Sequence, residues 1–296
     1  MSNIINPYRF VGEGPSPGGD YPDITPDSSS VVTDGDYKYV VFESTETFEV
    51  DATGDSGGSD EIQYLVVAGG GPSGPSGYYG TGGGAGGYRA GTETLNSTGT
   101  GTATVGAGGA GMSSSPSYPL TAANNGDDSQ LELPDFTQID ASGGGGAAQW
   151  KVTGSYPSGY AEAGRDGGSG GGGGVGGSAS PGEGNVGEYD PVEGYDGATT
   201  PYSFYQGGGG GASEEGHVPA AGPPYNAGDG GDGIENLIAT TSNGDNGYYA
   251  GGGAGYGSTG PASGGAGGGG DGGFNSGAAN TGGGGGGYAT GTATSG

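Results

Sequence analysis

The sequence contains no cysteine, so no disulfide can brace the fold and thiol chemistry is excluded. It has one histidine, one tryptophan and five cationic side chains: Arg9, Lys38, Arg89, Lys151 and Arg165. Against 33 acidic residues this gives a formal net charge of −28, which argues against binding nucleic acid or an anionic membrane face. No stretch reaches the ~20 apolar residues that cross a bilayer, so membrane insertion is not expected. The opening MSNIINPYRF lacks a cationic start followed by an apolar stretch and does not read as a secretory signal. Catalytic pairs are lacking too. His217 lies beside Glu214 and Glu215 and reads as a solvated side chain, with a metal ligand as the alternative. No Cys–His pair exists, and a Ser–His–Asp arrangement would have to assemble by chance. The reading is a non-enzyme with no assigned catalytic or metal residue and no cofactor, although acidic loops can hold Ca²⁺ nonspecifically.

What the chain has is glycine, 84 of 296 residues, mostly in short runs. They lie at 69–71, 82–87 (broken by Ala85), 143–146, 170–177 (broken by Val175), 207–211, 251–255 (broken by Ala254), 264–273 and 282–287. Such runs make neither a helix nor a self-sufficient strand, since glycine disfavours a helix by about 1 kcal/mol relative to alanine and gives a strand nothing to pack. With 18 prolines, glycine makes up a composition typical of disordered linkers. Against that reading, the runs have similar lengths and are separated by segments rich in tyrosine (20 in the chain), proline, Asp and Glu. Collagen is excluded because consecutive glycines leave no X–Y positions. The remaining folded solution is a bundle of polyglycine II helices, three residues per turn. In it N–H groups bond to carbonyls of neighbouring segments because no Cβ holds the backbones apart. The many Gly-x-Gly-x-x-Gly matches have no phosphate-binding meaning without a following helix. The segment 230–237 is one imperfect copy of a calcium-binding nonapeptide that works only when stacked.

Residues 1–30 read as an extended arm or linker. Residues 31–68 carry period-two β-formers (Tyr37, Tyr39 and Val41; then Phe48 and Val50) and the apolar stretch IQYLVVA at 62–68, predicting a small antiparallel β-block. Further strands are expected at 102–105, 131–141, 149–152 and 234–241. The predicted fold is mainly β and irregular, with almost no α-helix: the block, then a polyglycine II bundle over 69–296.

Several stretches carry a resemblance. They are YKYVVF at 37–42, TFEV at 47–50, YLVVAGGG at 64–71, GGAGGYR at 83–89, TVGAGG at 104–109, FTQIDA at 136–141, YA before 251–253 and NT before 282–287. Together they resemble the glycine-rich domain of tailed-bacteriophage virion proteins, over roughly 31–290. In similar tail-fibre-tip adhesins, a polyglycine II sandwich carries receptor-recognising loops at its distal end. The resemblance therefore implies a virion protein, assembled in host cytoplasm, that is a tail-fibre or tip adhesin. Residues 1–30 would dock on other virion subunits and the loops on a host-cell receptor, glycan or protein. The intervening loops depart from the family, so their roles cannot be carried over. From composition, the candidates are the aromatics between runs: Tyr156, Tyr160, Tyr189, Tyr195, Tyr202, Phe204, Tyr205 and Tyr225. Tyrosine gives large amphipathic contact for little entropy. For any single one the alternative is capping, a ring packed on glycine backbone. A capsid or tail decoration protein and an ice-binding protein are the other classes considered. The acidic surplus fits a high-salt habitat, where the Debye length falls to about 3 Å at 1 M. It fits equally well a surface kept soluble by charge.

Overall fold

A computed structural model describes residues 10–11, 21–34, 37–55, 58–74, 80–111, 124–152, 159–174, 179–200, 206–219, 226–236, 238, 243–257, 260–273 and 275–287. Among them there is no helix. The strands are β1 (Phe10–Val11), β2 (Pro22–Pro26), β3 (Val31–Asp34), β4 (Tyr37–Val40), β5 (Glu46–Thr53), β6 (Glu61–Val67), β7 (Tyr88–Thr94), β8 (Gly99–Thr104), β9 (Ser129–Glu132) and β10 (Gln138–Ala141). Four more short hairpin partners follow as β11 (Gln149–Val152) with β12 (Gly159–Glu162) and β13 (Ile234–Glu235) with β14 (Tyr248–Tyr249). The last pair is β15 (Tyr256–Gly257) with β16 (Gly260–Pro261).

The first ten strands form a β-block of antiparallel sheets, ordered β10-β9-β8-β5-β2, β1-β4-β3 and β6-β7. In β5 the alternation puts Phe48 and Val50 inward and leaves Glu49 and Asp51 outside. Phe48 meets Phe42 at 5.8 Å between ring centroids, in a core with Ile24, Ile62, Val66, Leu131, Leu133 and Ile139. β6 is buried on both faces. Ile62 and Val66 enter that core, while Leu65 and Val67 enter a second one with Tyr39, Ala85, Tyr88, Tyr249 and Ala250. A strand covered on both sides needs apolar residues almost throughout, which is why IQYLVVA lacks alternation.

The block is larger than 31–68. It reaches forward to β10 and draws in β2 from the segment read as an arm. Ile24 is the reason: its side chain is buried in the first core. Pro22 and Pro26 are tolerated because β2 is an edge strand whose outer side needs no N–H. β1 pairs with β4, so parts of residues 1–30 belong to sheets. The stretch 131–141 is two strands with a turn between them, and among the described residues of 234–241 only Ile234–Glu235 is strand.

Beyond the block, extended segments run back and forth, and the 82–87 run lies at their centre. Its N–H groups donate in strict rotation to three neighbours. Gly82 and Ala85 bond Gly207 and Gly210 (3.2 and 3.0 Å), Gly83 and Gly86 bond Gly285 and Gly282 (2.9 and 2.9 Å), and Gly84 and Gly87 bond Gly145 and Ser142 (2.9 and 2.8 Å). Its carbonyls accept from three other segments. Gly172 and Ser169 donate to Gly82 and Ala85, Gly71 and Ala68 to Gly84 and Gly87, and Gly253 to Gly83. Bonding that repeats every third residue, with none inside the run, is the pattern of polyglycine II. Six segments surround this run, as in hexagonal packing. Such closeness leaves no room for side chains: a Cβ on Gly82, Gly83, Gly84 or Gly86 would lie 1.9, 2.1, 2.2 or 2.0 Å from a carbonyl oxygen. Ala85, the one interruption, turns its methyl into the second core.

Candidate functional site

The up-and-down course gives the bundle two different ends. At one end, Ala68, Tyr88, Ser129 and Ala141 belong to or adjoin β6, β7, β9 and β10, so this end is fused to the β-block. At the other end lie residues 74, 111, 152, 174, 200, 219, 257, 273 and 287. Lateral bonds hold these points at one level. Gly74 N–H donates to Thr81 (3.3 Å), the Thr81 hydroxyl to Ala148 (3.0 Å), Ala148 N–H to Gly172 (3.0 Å) and Tyr256 N–H to Gly80 (3.0 Å). Gly228 N–H donates to Gln206 (2.8 Å), Gly273 to Gly287 (2.8 Å) and Gly287 to Ala254 (2.7 Å), while the Thr200 hydroxyl bonds Gly174 O.

The structure does not gather all the candidate aromatics. Tyr156, Tyr202, Phe204, Tyr205 and Tyr225 lie outside the described residues. Tyr160 stands opposite Lys151 in the β11–β12 hairpin, at the far end. Tyr189 and Tyr195 belong to the flank, nearer the β-block. The Arg89 guanidinium lies 4.0 Å from the centroid of the Tyr189 ring, and the ring packs on the backbone of Gly187. Burial, then Glu193 and Asp140, push the Tyr189 phenol up, with Arg89 opposing. Tyr195 bonds through its backbone to Gly211 and Gly170, and its side chain is exposed.

Side chains that the sequence reading did not single out finish the bundle's edges. Gly144 and Ala147 donate to Gly69 and Pro72, and Gly145 and Ala148 to Ser169 and Gly172. The third direction faces outward, and there Asp128 Oδ1 and Asn125 Oδ1 accept from Gly143 (2.7 Å) and Gly146 (3.2 Å). On another edge, Asp229 and Asp232 accept from Ser263 (2.7 Å) and Ala266 (2.8 Å), again three residues apart on both segments. Asp166, Asp196 and Asp271 accept from Glu183, Gly184 and Gly264 at 2.7, 2.7 and 2.9 Å. These side-chain oxygens stand where a further peptide carbonyl would be, so part of the acidic surplus is structural. The i, i+3 spacing of Asp229 and Asp232 is the signal that could have revealed it.

The buried polar groups serve the fold. Burial drives the Tyr88 phenol up, opposed by a 2.7 Å bond from Asn236. Burial, then Tyr88 and Tyr39, raise Tyr249 further. Burial opposes charge on Glu46, but the hydroxyl and N–H groups of Ser28 and Ser29 outweigh it and hold the carboxyl below its usual range. His217 approaches Glu214 at 3.7 Å, and among the described residues no three metal-ligating side chains come together. Asp232, in the segment resembling a calcium nonapeptide, is engaged by Ala266.

One family profile, described as a glycine-rich domain, matches residues 44–296. No curated protein and no solved structure matches the chain.

Proposed function

The chain belongs to the glycine-rich domain family, and from that premise we propose that it is a virion protein of a tailed virus, a tail-fibre or tip adhesin that presents loops to a host receptor. The observation that carries this reading is the polarity of the bundle. One end continues into a packed β-block, and at the other lie the described residues that flank, in the sequence, Tyr78, Tyr79, Tyr118, Tyr156, Tyr202, Tyr205, Tyr225 and Tyr288. Eight of twenty tyrosines therefore belong to sequence stretches whose described neighbours lie at one end of a scaffold that offers almost no side chains of its own. Loops on a rigid scaffold are where recognition concentrates, and tyrosine is the side chain recognition surfaces favour. Tyr160 joins this set, whereas Tyr189 and Tyr195 serve the flank. Residues 1–30 would help attach the protein to neighbouring virion subunits.

The test is competition. Purified full-length protein should lower adsorption of the virus to its host in a dose-dependent way. A variant with Tyr156, Tyr202, Tyr205 and Tyr225 changed to Ser should melt at the same temperature yet compete at least about tenfold less well, the loss expected when central aromatic anchors are removed. A protein that binds virions but leaves adsorption untouched would be a decoration protein. Thermal hysteresis would instead identify an ice-binding protein.

A further inference from the structure

The β-block pole of the molecule carries an anomaly at Phe136. β9 leaves the bundle and β10 returns to it, so the turn between them is as far from the bundle's other end as that hairpin reaches. Leu133 N–H donates to Thr137 O and Phe136 N–H to Leu133 O, both at 2.9 Å, which closes a three-residue loop of Pro134, Asp135 and Phe136. Loops of this length place their third residue in the left-handed region, a position that suits glycine or asparagine. Phe136 has φ +66° there. A chain that uses glycine at 84 positions sets a phenylalanine where glycine belongs.

Among the described residues nothing covers the ring of Phe136. Phe136 is 83% exposed, the most exposed of the large apolar residues described. The loop is nonetheless firmly built. The Asp135 carboxylate accepts from Asn96 Nδ2 and from Thr137 N–H, both at 3.0 Å. Backbone strain without burial is a cost to the free protein, so its compensation lies outside the chain. A rigidly presented aromatic is also the kind of residue that dominates a protein interface.

We infer that Phe136 is an anchor that seats the β-block in an apolar socket on the virion subunit carrying this protein. The socket's rim should be neutral or basic. The three connections at this pole, 54–60, 95–99 and 133–137, contain Asp55, Asp60 and Asp135 and no Lys or Arg. An acidic rim would face like charge across the contact. This inference rests on the virion reading above, and it places mounting and recognition at opposite ends of one molecule.

The test is incorporation of purified full-length protein into particles that lack it, scored by quantitative mass spectrometry alongside thermal melts. Phe136→Asn should relieve the strained backbone and raise the melting temperature by a few degrees. The same variant should incorporate at least about tenfold less than wild type. A merely structural role would move both readouts in one direction. Equal incorporation of wild type and variant would overturn the anchor and leave the virion reading standing. Failure of the wild type to enter particles would overturn both.

Discussion

Gly84→Ala is expected to abolish the native fold at 37 °C, although it adds one methyl group. The Cβ would lie 2.2 Å from the carbonyl oxygen of Ser169 and 2.7 Å from that of Gly170. Both neighbours are backbone, in a segment that is itself bonded to Ala85, Tyr195 and Arg165, so neither can turn away as a side-chain tip would. Overpacking a core ordinarily costs ~1–3 kcal/mol and more where the surroundings cannot relax. Here the displaced segment also loses bonds to its other neighbours, against a total stability of about 5–15 kcal/mol for an ordinary domain. Ala85→Gly is the control: it opens a methyl-sized gap in the second core and should cost only about 1 kcal/mol. Chemical denaturation of the two variants in concentrated salt measures the difference. Equal and small effects would mean that the segments are less tightly packed than described.

Glu193→Ala carries the second-largest expected effect, ~3 kcal/mol, because a fully buried carboxylate joins the bundle to the β-block. Its Oε2 accepts from Ser142 N–H at 2.8 Å, where β10 passes into the bundle, and its Oε1 accepts from Gly187 N–H at 3.4 Å. Its own carbonyl accepts from Tyr88 N–H at 2.8 Å, where the central run becomes β7. The side chain fills the space a Cβ on Gly87 would need, with Oε2 2.2 Å from that position. Removing it strands the Ser142 donor and leaves a cavity, each worth roughly 1–3 kcal/mol. Glu193→Gln keeps an acceptor oxygen and should cost less. Glu188→Ala, on an exposed turn five residues earlier, should stay within ~0.5 kcal/mol. An urea titration of the three variants orders them, and equal midpoints for the alanine variants would refute the junction role.

These two residues also show where sequence is informative. The need for glycine at 84 could be read from the run itself, since consecutive glycines make sense only where backbones touch. The β-block could be read in part from the alternation in β5 and the apolar stretch of β6. β2 was hidden because its two prolines mark an arm unless one knows that it lies at an edge. The role of Glu193 could not be read, since no local pattern separates a carboxylate that receives N–H groups from one that faces water. The same holds for Asp128 and Asp166. Of the candidate aromatics, Tyr160, Tyr189 and Tyr195 lie within the described residues, and the end of the bundle that each adjoins could not be read from sequence. That depends on whether a segment enters an upward or a downward turn, a property of the whole path. It separates Tyr189 and Tyr195 from Tyr160. Phe136 gives no sign in the sequence because its anomaly is conformational: 131–141 reads as one strand until the φ angle is known.

The claim on which all this depends is that peptide-to-peptide bonding between glycine segments, with few side chains, makes a cooperative body. Amide hydrogen exchange followed residue by residue in concentrated salt tests it most directly. The account predicts that Gly83, Gly84 and Gly86, enclosed on all sides, exchange as slowly as the central residues of β6 and only through global unfolding. Exchange of those three amides at the rate of an unstructured peptide, while β6 stays protected, would contradict it.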